Sequence, residues 1–204
     1  LSWKKITAGL AKGETGNIDI SIHKKDPRIM VMTYEADEKL PVSESGSGVY
    51  RSDDGGKTWK FLLKHAVRPY YHGQIEIDPV NPNNIYVVSR EFYISNDGGK
   101  SFHERRARTD GGDDHDLWIA THDPKYMYLA TDQGCKFTND GGKSFLSFNN
   151  MAIGQYYAIG TDLSDPYRVI GGLQDNALWL STTNSREPRG IFNEHHTWLG
   201  EGDG

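Results

Sequence analysis

The polar side chains able to act on a ligand gather in four short stretches, Lys64 to Gly73, Arg105 to Asp116, Asn149 to Tyr156 and His195 to Asp203. In or directly beside them His72 and Gln74, the run Asp113-Asp114-His115-Asp116, Gln155 with Tyr156, and Asp203 stand at corresponding places. A further cluster, Gln174-Asp175-Asn176, ends an apolar segment. Carboxylates beside a histidine have the donor types that a divalent cation takes. Tyr70, Tyr71 and Tyr156 offer faces on which a sugar or a peptide can stack. Plainer readings stand beside these. An acidic run is more often a solvated loop, His72 a hydrogen-bonded wall residue, Gln174 to Asn176 a turn that satisfies its own backbone, and His195-His196 an exposed pair. No metal and no cofactor is assigned on this evidence.

What positions these residues is a repeat. Ser52-Asp53-Asp54-Gly55-Gly56-Lys57-Thr58-Trp59 returns as Ser95-Asn96-Asp97-Gly98-Gly99-Lys100-Ser101-Phe102 and as Thr138-Asn139-Asp140-Gly141-Gly142-Lys143-Ser144-Phe145. The interval is about 43 residues both times, within the roughly 40 to 50 of propeller blades. Before each copy lies an alternating stretch and an Asp-Pro turn: Ile18 to Ile22 with Asp26-Pro27, Gln74 to Ile77 with Asp78-Pro79, Leu117 to Ala120 with Asp123-Pro124. A β-rich run follows each turn, at Ile29 to Tyr34, Ile85 to Val88 and Met127 to Ala130. A fourth copy of that plan starts at Tyr156, turns at Asp165-Pro166 and continues through Val169-Ile170. Four strands per repeat are expected: one inner, one after the turn, one into the motif and one out of it.

The motif has a mechanical rationale. Its Ser or Thr and the Asp two residues on can bond backbone N–H groups inside a turn, and the glycine pair tolerates positive φ. The closing aromatic, Trp59, Phe102 or Phe145, is then free to pack between sheets. Calcium is not expected there, because a helix-loop-helix site alternates its ligands over twelve residues and ends in Glu.

The expected fold is all-β: four-stranded antiparallel blades of a propeller, with blades at 17–63, 73–105 and 115–148, a blade plus the start of the next at 156–204, and the end of a preceding one at 1–16. Leu1 to Ile6 resembles Thr58 to Leu62, and no fourth motif follows Asn176, since Ser181 to Ser185 lacks Asp-Gly-Gly. The chain therefore reads as about four blades of a larger propeller, its open edges covered by the remaining blades or by a second copy. Glycine, 23 of 204 residues, exceeds the usual share of roughly 7% and fits many tight turns. A formal charge of −5 offers no electrostatic grip on a polyanion, so neither nucleic acid nor an anionic membrane is an expected partner. No apolar window reaches the roughly 18 residues of a membrane helix, and Leu1 to Leu10 does not read as a signal peptide. The single cysteine, Cys135, leaves the compartment open.

With motifs of the form Ser-x-Asp-Gly-Gly-Lys-Thr-Trp, the chain resembles the BNR or Asp-box superfamily, whose members include sialidases, xyloglucanases and the sortilin propeller. More narrowly it resembles the exported bacterial proteins described as sortilin-like or glycosyl-hydrolase-like. That match is carried by Tyr71-His72-Gly73-Gln74, His115-Asp116-Leu117-Trp118, Gly154-Gln155-Tyr156-Tyr157, Gly171 to Asn176 and Gly202-Asp203-Gly204. The resemblance implies an extracellular or periplasmic setting. It further implies ligands at one mouth of the channel, where His72, Gln74, His115, Gln155, Tyr156 and Gln174 would bind a glycan or a peptide, or the blades would serve as a scaffold. The alternative it raises is inverting glycoside hydrolysis of the xyloglucanase type. Two carboxylates roughly 6.5–9.5 Å apart would then act as acid and base, Asp203 facing Asp116 or Asp175. A sialidase is disfavoured, since no arginine cluster with a Tyr/Glu pair falls on equivalent loops.

Overall fold

The computed structural model describes residues 2–37, 39, 46–64, 73–89, 92–105, 113–132, 134–148 and 154–203. Its contacts divide the chain into a larger unit, Leu1–Asn150, and a smaller one, Met151–Gly204. Alternating apolar residues between Asp-Pro turns and glycine-rich hairpins yield sixteen strands in four antiparallel sheets, with no α-helix among the described residues.

The larger unit holds three sheets, each in sequential strand order. The first is β1 (Thr15–Ile22), β2 (Met30–Ala36), β3 (Gly48–Ser52) and β4 (Lys60–Lys64). The second is β5 (Gln74–Ile77), β6 (Ile85–Val88), β7 (Phe92–Ser95) and β8 (His103–Arg105). The third is β9 (Asp114–Ile119), β10 (Met127–Thr131), β11 (Gly134–Thr138) and β12 (Leu146–Phe148). Strands in the middle of this stack are apolar on both faces, and the period of two sorts their side chains between neighbours. In β6, Ile85 and Val87 join Val31, Val49, Ile75 and Ile77 against the first sheet. Tyr86 and Val88 turn the other way, packing with Phe92, Ile94, Leu117, Ile119, Met127 and Leu129 against the third. Met32, Tyr34 and Tyr50 cover the remaining face of the first sheet with Trp59, Leu10 and Ala11.

The first strands of neighbouring sheets lie side by side, β1 by β5 and β5 by β9. An unpaired strand edge exposes N–H groups that need acceptors. Here β1 provides them: Asp19 Oδ2 accepts the Ile75 N–H at 2.9 Å and Ser21 Oγ accepts the Ile77 N–H at 3.1 Å. The two-residue spacing on each strand makes that match possible.

Each glycine-rich motif folds as expected, with one addition. Ser95 Oγ accepts the Gly99 N–H at 2.9 Å and donates to Asp97 Oδ1 at 2.9 Å, and Asp97 accepts the Ser101 N–H at 3.0 Å. The added bond runs from the Ser101 hydroxyl to Asp97 at 2.6 Å, and Thr58 and Ser144 repeat it on Asp54 and Asp140. The motif also grips the Asp-Pro turn of its own sheet, Gly55, Gly98 and Gly141 donating to the carbonyls of Arg28, Asn83 and Lys125. Trp59 is buried and donates its indole N–H to Gly56 O at 3.1 Å, while Phe102 and Phe145 pack partly buried against the two intersheet cores.

The smaller unit is one sheet of β13 (Tyr156–Thr161), β14 (Arg168–Leu173), β15 (Leu178–Thr182) and β16 (His196–Gly200). No Asp-Gly-Gly hairpin joins β15 to β16. The connection instead spans residues 183–195 and ends in a 3₁₀ turn at Asn193–His195.

Candidate functional site

In the smaller unit, the turn from β14 to β15 crosses the stretch that follows β16. Two non-glycine residues of the turn, Asp175 (φ 54°) and Ala177 (φ 70°), sit in the left-handed region, a conformation that side chains adopt at some cost and that the surroundings must hold in place. The holding bonds are visible. Ala177 N–H donates to Gly202 O at 3.0 Å, Gln174 N–H to Gln155 O at 3.0 Å, and Asp175 N–H to Asp203 Oδ1 at 2.9 Å. Asn176 Nδ2 closes the turn on Gln174 O at 2.8 Å. Three sequence-predicted residues, Gln174, Asp175 and Asp203, are thus linked with the backbone of Gln155. Tyr156 lies over Gly171, whose absent side chain leaves room for the ring.

A groove of about 490 Å³ opens on this turn, walled by Trp179 and Trp198 and floored by Asp175, Glu201 and Asp203. Trp179 and Trp198 are register partners on β15 and β16, so their rings share one face of the sheet. Trp179 is fixed by its indole N–H bond to Asn176 O at 2.7 Å. Trp198 remains 51% exposed. The two tryptophans and Glu201 escaped sequence reasoning because no repeated motif marks them. The available signal was two of only five tryptophans flanking the one repeat that lacks Asp-Gly-Gly.

The other candidates belong to the larger unit. His115 Nε2 meets Asp132 Oδ1 at 2.5 Å, and Asp132 Oδ2 accepts the Asp113 N–H at 3.1 Å. Asp116 is exposed and accepts the Leu117 N–H on its Oδ1 at 2.8 Å, capping the open edge of β9 much as Asp19 caps β5. Gln74 opens β5 half-buried, and its Oε1 has no hydrogen bond among the described residues. His72, Tyr70 and Tyr71 lie outside the described residues.

Among the carboxyls of the larger unit, Asp114 and Asp54 are displaced in opposite directions, for opposite reasons. Asp114 is 5% exposed, and burial lifts it from 3.8 to about 6 against the pull of Lys136, whose Nζ stands 4.0 Å away. Asp54 is held down to about 2 by the Thr58 hydroxyl and amide, with the Ser52 hydroxyl adding to them. The signs follow by linkage. As pH rises from 3.8 through 6 the unfolded chain ionises Asp114 before the folded one does, so its burial destabilises the fold above that window, by on the order of 3 kcal/mol at most. Asp54 does the reverse, contributing stability above 3.8 that is lost as pH falls toward 2. Carbon-13 carboxyl titration is expected to give midpoints near 6 for Asp114 and near 2 for Asp54; two ordinary midpoints near 3.8 would refute both environments.

Set against known proteins, the chain matches no protein-family model and no curated sequence. Solved structures do resemble it. Against the GH74 xyloglucanase from Xanthomonas campestris the TM-score is 0.51 at 13% identity, covering 80% of this chain and 29% of that one. Against YCF48 bound to D1 peptide it is 0.50 at 14% identity, covering 91% and 57%. The chain therefore spans under two thirds of either protein's length. At such identities the likeness speaks for the fold, and with the four four-stranded antiparallel sheets already described it makes this chain a set of β-propeller blades.

Proposed function

We propose that these blades form a ligand-binding module that takes a glycan or a peptide in the groove of Trp179 and Trp198. One observation carries the reading: two register-paired indoles, one of them half exposed, wall a groove that also holds the carboxylates of Asp175, Glu201 and Asp203. Flat aromatic faces beside carboxylates bind pyranose rings and peptide side chains alike. The two structural neighbours, a xyloglucanase and a propeller bound to a peptide, support both ligand classes. Gln155 and Gln174 serve this site by bracing its turn.

The competing reading is an inverting glycoside hydrolase, raised because Asp175 and Asp203 both line this groove. Against it, one oxygen of Asp203 is already engaged with the Asp175 amide, a bracing role. Binding of neutral oligosaccharides and of short peptides, measured by calorimetry on the chain and on Trp179→Ala/Trp198→Ala, separates the outcomes. The double variant is expected to bind at least about tenfold more weakly. Unchanged affinity overturns the proposal, and release of reducing ends from an oligosaccharide that stops in Asp203→Asn replaces it with the hydrolase.

A further inference from the structure

The groove also carries a charge signature. Asp175, Glu201 and Asp203 contribute three formal negative charges to its lining, and no lysine, arginine or histidine is among the lining residues. Asp203 Oδ1 and the Asp175 amide satisfy one another, whereas Glu201 is exposed and takes part in no hydrogen bond or ion pair among the described residues. An indole face attracts a cation through its quadrupole, Trp most strongly of the aromatic side chains. Carboxylates around that face add direct Coulomb attraction. A neutral sugar would use the indoles and leave the charge unanswered.

We propose that the ligand of this groove is a basic peptide segment, whose arginine or lysine side chain lies over Trp198 with its cationic head toward Glu201 and Asp203. This inference rests on the groove being the ligand site. It adds the chemical class of the occupant, chosen by charge complementarity. A guanidinium suits the place best, since its plane stacks on an indole while its N–H fork reaches carboxylates. Because the carboxylates are exposed, attraction weakens as salt rises.

The test follows the indole N–H signals of Trp179 and Trp198 by NMR while the chain is titrated with three probes: acetyl-Gly-Arg-Gly-amide, the same peptide with norleucine for arginine, and a neutral cello-oligosaccharide. The arginine peptide is expected to shift the Trp198 signal, with affinity falling about threefold to fivefold in Glu201→Gln and more than tenfold in Glu201→Gln/Asp203→Asn. The asparagine oxygen can still accept the Asp175 amide, so the second variant keeps the turn braced. Equal binding of the norleucine peptide, or an arginine affinity indifferent to both variants, overturns the cationic assignment. A shift caused by the oligosaccharide alone overturns it too while leaving the groove a ligand site. If no probe moves Trp198, the assignment and the underlying site fall together.

Discussion

Phe92→Ala is expected to lower the unfolding free energy of the larger unit by about 3–5 kcal/mol. Phe92 is fully buried where the second sheet meets the third, stacked on Tyr86 at 6.1 Å and edge-on to Phe145 at 6.0 Å. Removing the ring leaves a void whose walls cannot close, because Met127 and Leu129 are fixed by strand pairing of β10 to both its neighbours. Against a typical total of 5–15 kcal/mol, the loss is a large fraction. Phe148→Ala provides the control. That ring is 39% exposed on β12, and its loss is expected to cost about 1 kcal/mol. Urea unfolding of both variants decides the matter: comparable midpoints would mean that the second and third sheets do not form a packed interface.

Much of this architecture is written in the repeat. The three Asp-Gly-Gly motifs specify their own hairpins through side-chain to backbone bonds only a few residues long, so Ser95, Asp97 and Gly99 can be read without knowing anything distant. The two-sided burial of Ile85 to Val88 follows from an unbroken apolar run. Less legible is what depends on neighbouring strands. Asp19 and Ser21 satisfy the edge of β5 from more than fifty residues away, a relation fixed by the register between sheets and invisible to local spacing. His115 pairs with Asp132 because β9 and β10 are adjacent, whereas the linear reading grouped it with Asp113 and Asp116.

The site was partly legible for the same reason. Gln174, Asp175 and Asp203 stand out as polar residues at the ends of apolar strands, and the turn of β14 to β15 does bring them together. Their partners Trp179 and Trp198 lie on strands joined by a long connection, and only the pairing of β15 with β16 places the rings on one face. Asp116 looks equivalent to Asp203 in the repeat, yet its carboxylate caps the next residue's amide at a strand edge. Position in a repeat predicts location in the fold, whereas each side chain's hydrogen-bond partners depend on its own neighbours.

Gly99→Ala should destabilise the larger unit by about 2–4 kcal/mol, against about 1 kcal/mol for Gly55→Ala. Both glycines occupy the left-handed region, at φ 88° and 76°, so the backbone strain is common to the two. The surroundings differ. A methyl at Gly55 meets nothing within 4 Å, while one at Gly99 would stand 2.3 Å from Leu62 Cδ1 on β4. Leu62 packs against the core shared by the first and second sheets, so moving it disturbs that core. The hairpin of the second sheet is therefore pressed onto the outer strand of the first, whereas Gly142 sits more loosely on the sheet before it, an added methyl lying at ordinary contact, 3.4 Å, from Ile94 on β7. Subtracting the Gly55→Ala loss from the Gly99→Ala loss, each measured by urea unfolding, isolates this contact from backbone strain. A difference near zero would mean that this hairpin stiffens its own sheet only, whereas about 1–3 kcal/mol assigns it a second task, locking the second sheet to the first.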